Sequence, residues 1–142
     1  MKHVAKGLAL IVGGLLASTA YAAVDGSKPV ICAVAEVTEC IPEESCQRVK
    51  ARDAGLPRFL RVDFKGKEIT QIDPAGDDVT SKIERRETVD GRLVLQGAED
   101  GVEGARDGIG WSLSIDEASG DMVLTGSGAE VAFVIFGACT PL

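Results

Sequence analysis

The run Ile109-Gly110-Trp111-Ser112-Leu113-Ser114-Ile115 decides the fold class together with the two runs after it. A turn at Glu117-Ala118-Ser119-Gly120 leads to Asp121-Met122-Val123-Leu124-Thr125. A second, Gly126-Ser127-Gly128, leads to Val131-Ala132-Phe133-Val134-Ile135-Phe136-Gly137-Ala138-Cys139. The first run alternates apolar with small or polar residues at period two, the pattern of a strand with one buried face. The last is apolar on both phases, which places it under cover on both faces or at the centre of a sheet. Short glycine-bearing turns separate the three, so they form an antiparallel meander.

The same signals recur upstream. After a polar leader (Asp25 to Lys28) and Pro29, the valine-rich run Val30 to Val37 reads as the first strand, and Cys40 to Cys46 as a tight loop. Gln47 to Ala54 has room for one or two helical turns, stopped by Gly55 and Pro57. Arg58 to Phe64 alternates, with Leu60, Val62 and Phe64 on one face, and turns at Lys65-Gly66 into Glu68 to Ile72. Asp73 to Asp78 has loop composition. Val79 to Val89 is a polar strand, placed at an edge or facing solvent. Asp90-Gly91 tolerates the positive φ of a type I′ turn and makes a hairpin into Leu93-Val94-Leu95. Gly97 to Gly108 is aperiodic and reads as a loop. The result is about eight strands at the 8–12-residue spacing of barrels and sandwiches, with no long amphipathic helix. The fold expected is all-β: an antiparallel meander closed or nearly closed into a small barrel, with a β-sandwich as the alternative.

The N-terminus carries Lys2 and Lys6, the apolar run Gly7 to Ala17, and Ala20-Tyr21-Ala22, the small-x-small pattern of a signal-peptidase site. Residues 1–22 read as a cleaved signal peptide and 23–142 as a single β domain. The apolar run is shorter than the ~20 residues a span needs, so no membrane span is expected. No cysteine follows the site to take a lipid anchor. The expected location is periplasmic or secreted.

Cleavage changes the chemistry available. His3 and Tyr21 are the only histidine and tyrosine, and both leave with the signal. Lys2 and Lys6 leave as well, so bases fall from 15 to 13 against 22 acids and the formal charge from −7 to −9. This balance excludes a general binder of nucleic acid, whose affinity comes from neutralising phosphates. The charge is uneven. Residues 48–67 hold Arg48, Lys50, Arg52, Arg58, Arg61, Lys65 and Lys67 against Asp53 and Asp63, while residues 68–130 hold fifteen acids against five bases. Arg48, Arg52, Arg58 and Arg61 are therefore candidates for an anion-facing patch. Glu99, Asp100, Glu103 and Asp107, in the aperiodic stretch, are candidates for a cationic partner.

Four cysteines in an exported chain point to disulfides. No Cys-x2-Cys pair or mature-chain histidine supports a zinc site. Cys40 and Cys46 flank a loop already bent by Pro42, and barrel closure would set Cys32, on the first strand, beside Cys139, on the last. The pairing expected is Cys32–Cys139 with Cys40–Cys46.

Without histidine, Ser-His-Asp and Cys-His hydrolases and histidine-ligated metal enzymes are excluded. No Gly-x-Ser-x-Gly elbow or phosphate loop is present. Paired carboxylates could hydrolyse glycosides, but nothing singles out two acids, and the few aromatics fall on core phases. No enzyme, cofactor or metal is expected, although the acidic stretch has ligands suited to calcium without the EF-hand order. Gly110-Trp111 is similar to the Gly-x-Trp of lipocalins, which opens their barrel, whereas this one comes late. Here Trp111 reads as a core plug.

The pattern Trp111-Ser112-Leu113-Ser114-Ile115, Gly120-Asp121-Met122 and Phe136-Gly137-Ala138-Cys139-Thr140-Pro141 resembles small exported bacterial proteins of uncharacterised function. The resemblance covers about a quarter of the chain and implies export and a terminal disulfide, with no activity attached. Two functions remain. The first is a monomeric, non-catalytic envelope protein that binds a cationic protein or peptide through its acidic surface, as an inhibitor or sequestering agent. The alternative is a carrier holding an apolar or amphipathic ligand inside a calycin-like barrel, with the basic stretch meeting an anionic head group.

Overall fold

The computed structural model describes residues 23–101, 103–105 and 107–142. The signal peptide expected over residues 1–22 lies outside the described residues. The strands are β1 (Val30–Cys40), β2 (Gln47–Val49), β3 (Phe59–Asp63), β4 (Glu68–Ile72), β5 (Val79–Lys82), β6 (Arg85–Val89), β7 (Arg92–Glu99), β8 (Ile109–Asp116), β9 (Asp121–Ser127) and β10 (Ala132–Pro141). Every pairing is antiparallel, in the order β5-β4-β3-β1-β10-β9-β8-β7-β6, with β2 beside β1. The all-β barrel-like meander is therefore present.

The two ends of this path belong to one stretch of chain. β5 pairs with β4, and after Ile83 and Glu84 the same run continues as β6 and pairs with β7. At the crossover the Ile83 N–H donates to the Lys67 carbonyl and the Glu84 N–H to that of Gln96, both at 2.8 Å. The polar strand expected at an edge is thus the seam of a nearly closed barrel. Counting β5 and β6 as one element and setting β2 aside leaves about eight strands, the size whose interior side chains can just fill.

β10 sits at the centre of the sheet, between β1 and β9, but its two faces differ. Phe133, Ile135 and Cys139 are buried on the inner face, while Phe136 on the outer face is 43% exposed. The doubly apolar run therefore marks centrality in the sheet and not cover on both faces. β1 carries a bulge between Val34 and Glu36. It turns Cys32 and Val37, five residues apart, both inward, because the extra residue, Ala35, switches the phase of the pleat. Gln47 to Ala54 is a short strand and a 3-10 turn (Ala51–Ala54), which Gly55 ends at φ 66°. The aperiodic loop is shorter than expected, since Gly97 to Glu99 extend β7.

Cys32 and Cys139 are directly opposite each other on β1 and β10 and form a disulfide; Cys40 and Cys46 form the second. Both pairings are as expected, and they place the chain in an oxidising compartment. Among the described residues no helix is long and apolar enough to cross a membrane.

Candidate functional site

The register sorts the connections into two ends. Residues 23–29, 64–67, 90–91 and 117–120 lie at one; residues 41–46, 50–58, 73–78, 100–101, 103–105, 107–108 and 128–131 lie at the other. The first end is plugged. Val24, just before the polar leader, is 1% exposed, and its N–H donates to the Glu117 carbonyl at 2.8 Å. Arg86 holds the leader by donating to the Gly26 carbonyl at 3.2 Å and lies 5.0 Å from the centroid of the Phe64 ring. Above this plug Leu93, Leu95, Leu113, Ile115 and Met122 fill the interior.

The second end is hollow, for a reason visible in the residues. The inward positions that follow Leu93 and Leu95 on β7 and Met122 and Leu124 on β9 are Gly97 and Gly126. These glycines are the two cross-strand partners of Trp111. A Cβ on Gly97 would run into the indole and the Lys82 carbonyl, so the ring lies over Gly97. At Gly126 the nearest atom to such a Cβ is Ile109 Cγ2, an ordinary 3.5 Å away, so this side stays open. The resulting pocket holds about 90 Å³ and is walled by Val34, Leu60, Ile69, Leu124, Phe133 and Ile135 among others. Leu56 and Pro57, from the loop before β3, stand at its edge.

Two polar side chains, Gln71 and Glu99, share this largely apolar lining. Gln71 Nε2 donates to Glu99 Oε1 at 2.9 Å, and the Ser81 hydroxyl donates to the same oxygen. Glu99 therefore joins β4, β5 and β7 across the seam through its Oε1. Trp111 also lines the pocket, with its Nε1 buried and without a hydrogen-bond partner among the described residues.

The sequence candidates are partly brought together. Arg48, Arg52 and Arg58 line one groove with Lys50, about 450 Å³ in volume, where β2 and the 3-10 turn pass the β1 bulge. Arg48 pairs with Glu36 at 2.8 Å and Arg52 with Asp53 at 3.2 Å. Lys50 and Arg58 have no ion pair among the described residues. Arg61 is separate, exposed on the outer face of β3 between Ile31 and Thr70. Asp100, Glu103 and Asp107 are exposed on the loop, but Glu99 is divided from them, turned into the pocket from β7. No group of three or more metal-ligating side chains occurs among the described residues.

The groove and the pocket adjoin. Val34 lines both, and Pro57 lines the pocket while Arg58, next in the chain, lines the groove. The Val34 N–H donates to the Arg58 carbonyl at 2.9 Å, which fixes that junction. Gln71 and the pocket role of Glu99 went unseen in the sequence; the available signal was the inward glycine pair flanking the single tryptophan. Comparison with protein-family models, with curated proteins and with solved structures finds no match to this chain.

Proposed function

We propose that the protein is an exported, non-catalytic small-molecule binder, periplasmic or secreted. The apolar part of its ligand enters the hollow end of the barrel, and an anionic end meets the groove of Arg48, Lys50, Arg52 and Arg58. The observation that carries this reading is the asymmetry of the interior, filled by large side chains at one end and left hollow beside Gly97 and Gly126 at the other. An engineered apolar cavity of about 150 Å³ holds benzene. The smaller pocket here suits the end of an alkyl chain or a small branched group, with the remainder of the ligand outside.

Native mass spectrometry of the protein isolated from its own cell envelope tests the reading. A stoichiometric extra mass is expected, and Gly126→Val, which pushes a side chain into the open part of the pocket, removes it while the melting temperature holds. Finding only the bare chain mass in the unaltered protein rejects a resident ligand.

A second reading is favoured by a different observation. The Gln71–Glu99 bond draws β4 and β7 together at the seam, so the loop bearing Asp73, Asp77 and Asp78 lies beside the one bearing Asp100, Glu103 and Asp107. We read this paired rim as a docking surface for a cationic envelope protein or peptide, sensitive to salt. Immobilised protein would retain such a partner from envelope extract at low ionic strength and release it at high. Retention unchanged by salt, or none at all, removes this reading.

A further inference from the structure

On the reading of the hollow end as a ligand site, the two polar side chains in its wall specify the ligand further. Gln71 Nε2 donates to Glu99 Oε1 at 2.9 Å, and Ser81 donates to the same oxygen. These bonds fix both side chains and leave two acceptors over. Glu99 Oε2 and Gln71 Oε1 have no hydrogen-bond partner among the described residues, and neither is sealed off. Trp111 Nε1 is the one unpartnered side-chain atom without surface among the described residues that are not exposed, so the two oxygens keep surface of their own. Glu99 also has no cationic partner there, since the acids in the ion pairs are Glu36, Asp53, Glu84, Glu87 and Asp116. A carboxylate in a largely apolar wall, one oxygen fixed and the other open, is set to take a cation that donates.

Charge around the mouth has the matching polarity. The acidic loop of residues 73–78 and Asp100 lie on the Glu99 side, while Lys50 and Arg58 line the groove on the other. Gln71 is opposite Leu60, which follows Arg58 by two residues, about 7 Å along the strand. We propose that the ligand is a zwitterion: a primary ammonium beside its apolar part donates to Glu99 Oε2 and Gln71 Oε1, and its anionic end lies a few bonds away at Arg58 and Lys50. An ammonium has three donors and no acceptor, which suits two open acceptors, one of them charged. A hydroxyl brings one donor and leaves the carboxylate charge unbalanced. Amino acids and short peptides with a small branched side chain have this chemistry.

Three probes with one branched chain test this: 3-methylbutylamine, 3-methylbutan-1-ol, and leucylglycine, which adds a carboxylate beyond the ammonium. Each is titrated into the oxidised mature protein at neutral pH, followed by the methyl signals of Leu124 and Ile135, which line the pocket. The amine is expected to bind about tenfold more tightly than the alcohol, the scale of a hydrogen bond to a charged group. The dipeptide should gain up to about fivefold more, the range of an exposed ion pair, and lose that gain in Arg58→Ala. Glu99→Gln removes the charge but keeps an oxygen to accept from Gln71 and Ser81. It should weaken the amine about tenfold and the alcohol by less than about twofold. If amine and alcohol bind alike, or Glu99→Gln weakens both equally, the pocket stands and the ammonium assignment fails. A dipeptide no tighter than the amine overturns the zwitterion. If no probe shifts those methyl signals saturably, the ligand-site reading falls as well. The wild-type order of amine and alcohol decides even if the Gln variant is poorly folded.

Discussion

Glu99 and Trp111 are diagonal neighbours on the inner face, and their polar groups meet opposite fates. Glu99 is engaged by Gln71 and by Ser81, itself only 4% exposed, whereas Trp111 Nε1 has no partner among the described residues. The difference makes Glu99 a brace of the seam. Replacing it with alanine strands the Ser81 hydroxyl and the Gln71 amide, and unpaired buried polar groups cost about 1–3 kcal/mol. Glu99→Ala should lower the stability measured by urea unfolding by that amount. Asp100→Ala, on the exposed loop, should stay within about 0.5 kcal/mol. Equal, small effects for both would return Glu99 to the solvent-facing acidic rim.

Two elements carry the architecture beyond what their residue types announce. The run from Val79 to Val89 serves as both edges of the sheet by changing neighbours at Ile83 and Glu84, so the chain closes on itself without another strand. β1 holds the other side by pairing along its length with β10, and the Cys32–Cys139 bridge joins them across 107 residues of sequence. Cys40–Cys46 spans 6 residues at the tip of the β1–β2 hairpin. In the chain-entropy model the long crosslink is worth ~4.8 kcal/mol and the short one ~2.2 kcal/mol. At ~4 °C per kcal/mol, replacing Cys32 and Cys139 together should lower the melting temperature by well over 10 °C, aided by the methyl-sized gaps left in the core. Replacing Cys40 and Cys46 together should cost much less. Calorimetry of the two double variants decides, and the reverse order would contradict the entropic account.

At the level of the molecule, the barrel is a cup. Val24 and the layer from Leu93 to Met122 stopper one end, and the glycines around Trp111 leave the other open, with a basic groove on one side of the mouth and acidic loops on the other. Much of this was legible in the chain. Period-two alternation, Asp90-Gly91 and the glycine turns fixed the strands, and the cysteine placement anticipated the contact between first and last strands. Elsewhere a residue's neighbours outvoted its type. Val24 lies next to a polar leader yet is buried, and Gly97 to Glu99 have loop composition yet extend β7, because β8 pairs with them through Ile109.

The sequence by itself determined the strand-forming runs and the excess of acids, because hydrophobic period and charge are properties of the chain alone; it favoured one cysteine pairing of three, and the barrel closure that brings Cys32 beside Cys139 decided it. The tertiary structure decided which face each residue shows and which distant residues share a space. The bulge at Ala35 reverses the phase of β1, so Glu36 turns out to meet Arg48 and Val37 turns in, a switch that no alternation pattern encodes. The pocket exists because two glycines from different strands flank one indole. Pairing register brings those three residues together, and register is set by the packing of the whole barrel.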